Sequence, residues 1–72
     1  MPKLPVISGK KAIKALSKID YGFDHQIGSH IILRNKQGHR ITVPNNMELN
    51  RGSLKSILND AGLTPEEFLN LL

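Results

Sequence analysis

Two kinds of side chain in this sequence can do chemistry unaided: cations set where an anion can be gathered, and histidines that change charge near neutral pH. Lys10 and Lys11 follow Ser8 at the start of a helical pattern. A helix dipole disfavours cations in its first turn by about 0.3 to 1 kcal/mol each, so stability alone does not select them there. The free N–H groups of that terminus and both ammonium groups could converge on one phosphate. Plain solvated lysines are the alternative. Of the three histidines, His30 follows Gly28-Ser29 at the start of a strand, His25 lies within the preceding strand and His39 stands beside a turn. Imidazole titrates near pH 6.5 and suits proton transfer. On spacing alone, however, a histidine at a strand start is more often a surface or hydrogen-bonded residue. There is no cysteine, which excludes a disulfide framework and thiolate metal sites, and the three histidines and six carboxylates match no standard metal motif. Neither a metal nor another cofactor is expected.

The elements that must position these groups can be read from hydrophobic spacing. Pro2 and Pro5 predict an extended, poorly ordered lead-in as far as Ser8. Ser8 is a good N-cap, and Ala12, Ile13, Leu16 and Ile19 form one helical stripe, with Lys10, Lys11, Lys14 and Lys18 on the other face. From Tyr21 the period changes to two, with Tyr21, Phe23, His25 and Ile27 alternating before a break at Gly28-Ser29. His30 to Arg34 is a second strand, Asn35-Lys36-Gln37-Gly38 a turn, and His39 to Val43 a third strand ended by Pro44. Matching the apolar faces puts Ile31, Leu33, Ile41 and Val43 under the helices, and His30, Arg34, Arg40 and Thr42 on the open side. Unless an anion bridges them, Arg34 and Arg40 repel each other modestly there. Leu54, Ile57, Leu58 and Ala61 predict a helix from Arg51 to Ala61, capped by Asn50 and stopped at Gly62. Thr64-Pro65-Glu66-Glu67 is a capping box with Pro at N1, and Leu63 can staple onto Phe68 of the last short helix. The expected fold is α+β: one domain over residues 1–72 in the order α-β-β-β-α(α), with a three-stranded antiparallel sheet covered by helices on one face.

Seventy-two residues hold one domain and no second catalytic lobe. No apolar run approaches a membrane span, and the N-terminus lacks the apolar region of a secretory signal, so no membrane association and a cytoplasmic location are expected. Ten Lys/Arg against six Asp/Glu give +4, with an isoelectric point near 9.8. Residues 1–55 hold all ten cations and three anions, for +7, and residues 56–72 hold the other three anions and no cation, for −3. A surface polarised in this way attracts a phosphate backbone over part of the molecule.

Ser8-Gly9-Lys10, Tyr21-Gly22-Phe23, Gln26-Ile27-Gly28-Ser29-His30, Val43-Pro44, Glu48-Leu49, Gly52-Ser53-Leu54-Lys55-Ser56-Ile57-Leu58 and Gly62-Leu63-Thr64 before Glu66-Glu67-Phe68 follow one another through nearly the full chain. In this order the sequence resembles the HicA family of mRNA interferase toxins from type II toxin-antitoxin systems. The resemblance implies a fold like that of double-stranded-RNA-binding domains, an endoribonuclease activity on mRNA that arrests translation, and a HicB-type antitoxin as partner. It also implies that the histidine of Gly-Ser-His, here His30, is catalytic. The chain departs from many such members in its short, His-free loop after Pro44 and in carrying His25 where Arg is common. Attack by RNA's own 2′-hydroxyl needs a base and cations to bear charge on phosphate, and no metal. Lys10, Lys11, Arg34 and Arg40 are candidates for the cationic role, Ser29 for a hydrogen bond to phosphate, and Gly28 allows close approach. Two other readings stand beside this one: a non-catalytic RNA-binding module that follows A-form shape, and an adaptor whose basic face meets an acidic protein. The oligomeric state is left open by the sequence.

Overall fold

The first helix, α1 (Gly9–Leu16), begins where the Ser8 side chain accepts the Lys11 N–H at 3.1 Å. This is the cap that the sequence pattern predicts. In the computed structural model, which describes residues 4–72, α1 runs into a 3₁₀ turn (Ser17–Ile19) that ends at Asp20 with φ at 72°. Aspartate tolerates this left-handed conformation better than most residues. Tyr21 then turns into the core, and the chain enters the meander β1 (Gly22–Ile27), β2 (His30–Arg34) and β3 (Arg40–Pro44), a sheet of order β1-β2-β3. The last two helices are α2 (Arg51–Ala61) and α3 (Pro65–Leu69). Asn50 caps α2, Gly62 at φ 70° ends it, and Thr64 and Glu67 form the reciprocal capping box of α3. The α+β architecture expected from the sequence is therefore the one adopted.

Ile31, Leu33, Ile41 and Val43 are buried and join Ala12, Ala15 and Leu16 of α1, Leu54, Ile57 and Leu58 of α2, and Phe68 of α3 in one core. All the helices contribute to the same face of the sheet. His30, Arg34, Arg40 and Thr42 are exposed on the other. Three features differ from the sequence reading. The lead-in is anchored: Ile7 is buried, and its carbonyl accepts the Leu49 N–H at 2.8 Å. Pro2 lies outside the described residues. The alternation of β1 is broken by an irregularity between Phe23 and His25, so Phe23 pairs with Leu33 while His25 and Ile27 pair with Ile32 and His30. A bulge of this kind inserts one residue and shifts every later side chain to the other face. Finally, Ile32 is only 8% exposed although it points away from the helices. On the central strand it is ringed by His25 and Thr42 across the ladders and by His30 and Arg34 along β2.

One end of the sheet is tied to α1 through its first residue. The Gly9 N–H donates to the Asn46 carbonyl at 2.9 Å, and the Asn45 N–H donates to the Ser29 carbonyl at 2.7 Å. A side chain at Gly9 would collide with the Pro44 carbonyl oxygen, which explains why the helix starts on glycine. Gly9→Ala is therefore expected to lower stability by about 1 to 3 kcal/mol, the usual cost of overpacking. That corresponds to a thermal midpoint lower by about 4–8 °C per kcal/mol in a domain of this size. A melt followed by circular dichroism checks this; helix propensity alone would give the opposite sign, and a raised midpoint would rule the collision out.

Candidate functional site

Gly28 at φ 57° occupies the first central position of the two-residue turn between Ile27 and His30. Glycine there is what a II′ hairpin turn requires. The turn delivers His30 to the outer rim of the open face, directly opposite Pro44 of β3. Ser29 is exposed beside it, and its carbonyl is held by Asn45. Through Asn46 and Gly9, the N-terminus of α1 is brought to the same end. There Ser8, Lys10, Asn45, Asn46 and Met47 line an open cleft of about 310 Å³. His30, Ser29 and Lys10 thus belong to one corner of the molecule.

The other sequence-derived candidates fall elsewhere. Lys11 lines a separate cleft with Lys14, Ala15, Lys18, Leu71 and Leu72, so it does not share the Lys10 cleft. Consecutive helical residues are about 100° apart, which explains the divergence. The Lys18 ammonium donates to the Leu71 carbonyl at 2.7 Å and so caps the end of the chain's last turn. Arg34 and Arg40 face each other in the β2–β3 register, as matching the apolar faces predicts, but at the far end of the strands from His30. Four residues of strand separate them from it, about 13 Å. His39 is committed to the fold. Its Nε2–H donates to the Asp60 carbonyl at the end of α2, 2.7 Å away, and its ring meets Tyr21 edge-on at 6.3 Å.

Asp24 is the residue that sequence reasoning missed. Its carboxylate accepts a hydrogen bond from His25 Nδ1 at 2.7 Å. That bond holds the Asp24 carboxyl below its ordinary value of 3.8; loss of hydration opposes it, and the charges of His25, Arg34 and Arg40 add smaller downward pulls. Asp24 therefore adds a negative charge to the field of the Arg34–Arg40 pair, while its one ion pair among the described residues is with His25. The signal is an Asp-His pair one strand from Arg34 and two from Arg40, but the bulge that brings His25 to the open face is invisible in a period-two reading.

The open face thus reads in three rows across the strands: Ile27, His30 and Pro44; His25, Ile32 and Thr42; then Arg34 and Arg40 with Asp24 alongside. It carries two histidines, paired cations and one carboxylate around an apolar centre. Such a surface suits an extended anionic polymer better than a small molecule. Among the described residues, no group of three or more His, Asp or Glu is placed to hold a metal ion, and no helix is long and apolar enough to cross a membrane.

A carboxyl whose value is depressed by folding adds stability that is fully present above its unfolded value and is lost as the pH falls through the folded one. For Asp24 this window lies below pH 3.8. Carbon-13 NMR titration is expected to give Asp24 a midpoint below 3.8 in the native chain and a higher one in His25→Ala, where the hydrogen bond is gone. An identical midpoint in both would contradict this origin of the shift.

No curated protein sequence matches the chain significantly. Residues 9–63 match the family described as the HicA toxin of bacterial toxin-antitoxin systems. The matched span begins at the glycine that docks α1 and takes in the whole sheet with its two histidines, together with α2. With most of its length matched in this way, the chain belongs to the HicA toxin family.

Proposed function

We propose that this toxin is an mRNA interferase, an endoribonuclease that uses His30 as general base and needs no metal ion. The observation that carries the reading is the placement of His30. It is exposed at the rim of a polar sheet face, behind a glycine turn that leaves room for a ribose, with Lys10 and Ser29 at the same corner. His30 would take the proton of the 2′-hydroxyl as that oxygen attacks the adjacent phosphorus. Lys10 and Ser29 lie on one side of the reacting phosphate, and Arg34 and Arg40 lie where neighbouring phosphates of an extended strand would pass. Lys11, on its own cleft, contacts phosphate only if the RNA also wraps α1. Cleavage of mRNA would arrest translation in the cytoplasm. Within the toxin–antitoxin pair, a partner of the HicB type would neutralise the protein by covering His30 and the adjoining cations.

The test is cleavage of a long single-stranded RNA in EDTA at low salt by the native chain and by His30→Ala. The native chain is expected to cut. The variant should be slower by about 10²- to 10⁴-fold, the usual contribution of one acid–base residue, while keeping its salt-sensitive RNA binding. Intact RNA with both proteins, together with a salt-dependent gel shift, would instead establish a non-catalytic RNA-binding module.

A further inference from the structure

We propose that His25, oriented by Asp24, is a second catalytic residue of the open face and acts as general acid to the general base His30. The proposal rests on the ribonuclease reading above and adds to it the group that protonates the leaving oxygen.

Register brings the two histidines together. His25 stands opposite Ile32 and Ile27 opposite His30, so both histidines project from the open face and are diagonal neighbours across the β1–β2 ladder. Diagonal partners have Cα atoms about 7–8 Å apart, with Cβ atoms somewhat closer. Two imidazoles at this separation can flank one phosphodiester, each reaching an oxygen through a hydrogen bond of about 2.8 Å. The bulge between Phe23 and His25 is what makes the pairing possible. Without it, His25 would fall on the helix-covered side and a single histidine would face the substrate.

The second observation is how His25 is held. The Asp24 carboxylate accepts its Nδ1–H at 2.7 Å, which fixes the ring and leaves Nε2, on its far edge, as the nitrogen that can exchange a proton with a ligand. With 44% of its side chain exposed, His25 is open to a ligand. The proton-donating role falls to the imidazole whose ring a carboxylate orients. His30 has no carboxylate beside it in the register, and no such bond orients its ring. Arg34, on the same face two residues along β2 from Ile32, lies on the side of His25 where the neighbouring phosphate would pass.

The step balances without a further reactant. His30 removes the 2′-hydroxyl proton while O2′ forms a bond to phosphorus. The bond from phosphorus to the 5′-oxygen breaks, and that oxygen receives the Nε2 proton of His25. The products are a 2′,3′-cyclic phosphate and a 5′-hydroxyl. His30 is left protonated and His25 neutral, and exchange with water restores both.

Changing the leaving group tests the assignment. The probe is an oligonucleotide with one ribonucleotide in a deoxynucleotide background of randomised flanks, carrying either oxygen or sulfur at the 5′-bridging position. A thiolate departs without protonation, so loss of the acid matters only for the oxygen ester. His25→Ala, and His25→Gln as a variant that keeps a polar side chain in the strand, are expected to cut the oxygen ester about 10²-fold more slowly or worse. Both should cut the sulfur ester at close to the native rate. Asp24→Asn, a positioning change, should show a smaller loss confined to oxygen. His30→Ala should lose both. Native-like cleavage of the oxygen ester by the His25 variants, or equal losses on oxygen and sulfur, would overturn the acid assignment while leaving the His30 reading intact. If the native chain cleaves neither probe nor long RNA, the ribonuclease reading fails and this proposal falls with it.

Discussion

The arrangement of this molecule depends on one contact, the docking of the N-terminus of α1 against the loop that follows β3. It is made of backbone: Gly9 donates to Asn46, Asn45 donates to Ser29, and no Cβ at position 9 stands between helix and loop. Three segments that are far apart in sequence meet at one end of the sheet as a result. They are the first helical turn with Lys10, the Pro44–Met47 loop, and the Gly28-Ser29 turn before His30. A backbone contact suits this task because main-chain geometry is fixed by φ and ψ, whereas a lysine or arginine bridge would cost side-chain entropy and weaken with salt. It also leaves the Lys10 ammonium free for a ligand.

The sheet divides the labour. Its inner face, with Ile31, Leu33, Ile41 and Val43, supplies much of the core of an 8.0 kDa chain. Few buried positions can be spared in so small a domain, and the polar candidates of the sheet lie on its outer face or rim. Ile32 is the exception that organises the rest. Nearly buried at the centre of the outer face, it spaces His25, His30, Arg34 and Thr42 around itself, so that histidines and arginines ring an apolar floor. A face of this kind offers cations to phosphate and a flat apolar contact to a base or ribose.

Local rules made much of this legible in the sequence. Ser8, Asn50 and Thr64 were identifiable as caps because a side chain accepting from a backbone N–H two or three residues ahead involves no other part of the fold. Gly62 marked the end of α2 for the same reason. The β2–β3 register, with Arg34 opposite Arg40, followed from matching apolar faces. The misreadings occurred where a tertiary contact decides. Ile7 is anchored by Leu49, 42 residues further on, and nothing local announces that bond. His39 reads as the first residue of the third strand, beside the turn; the strand starts at Arg40 and the His39 ring is taken by the Asp60 carbonyl at the end of α2. The bulge in β1 is set by the ladder to β2, so strict alternation gave no role to Asp24 and no reason to place His25 beside His30. The divergence of Lys10 and Lys11 was foreseeable, since adjacent helical residues do not share a face.

The family assignment makes the chain a toxin, and the open face is where its chemistry is argued to reside. The most direct measurement is an NMR titration of the native chain with a short 2′-O-methylated RNA, which binds as RNA does but has no 2′-hydroxyl to attack. The account predicts that the largest shifts fall on the ring signals of His25 and His30 and on the amides of Ser29, His30 and Arg34, and that they diminish as salt is raised. Shifts confined to α2 and α3, with both histidine rings unmoved, would contradict it and place the RNA on the other side of the molecule.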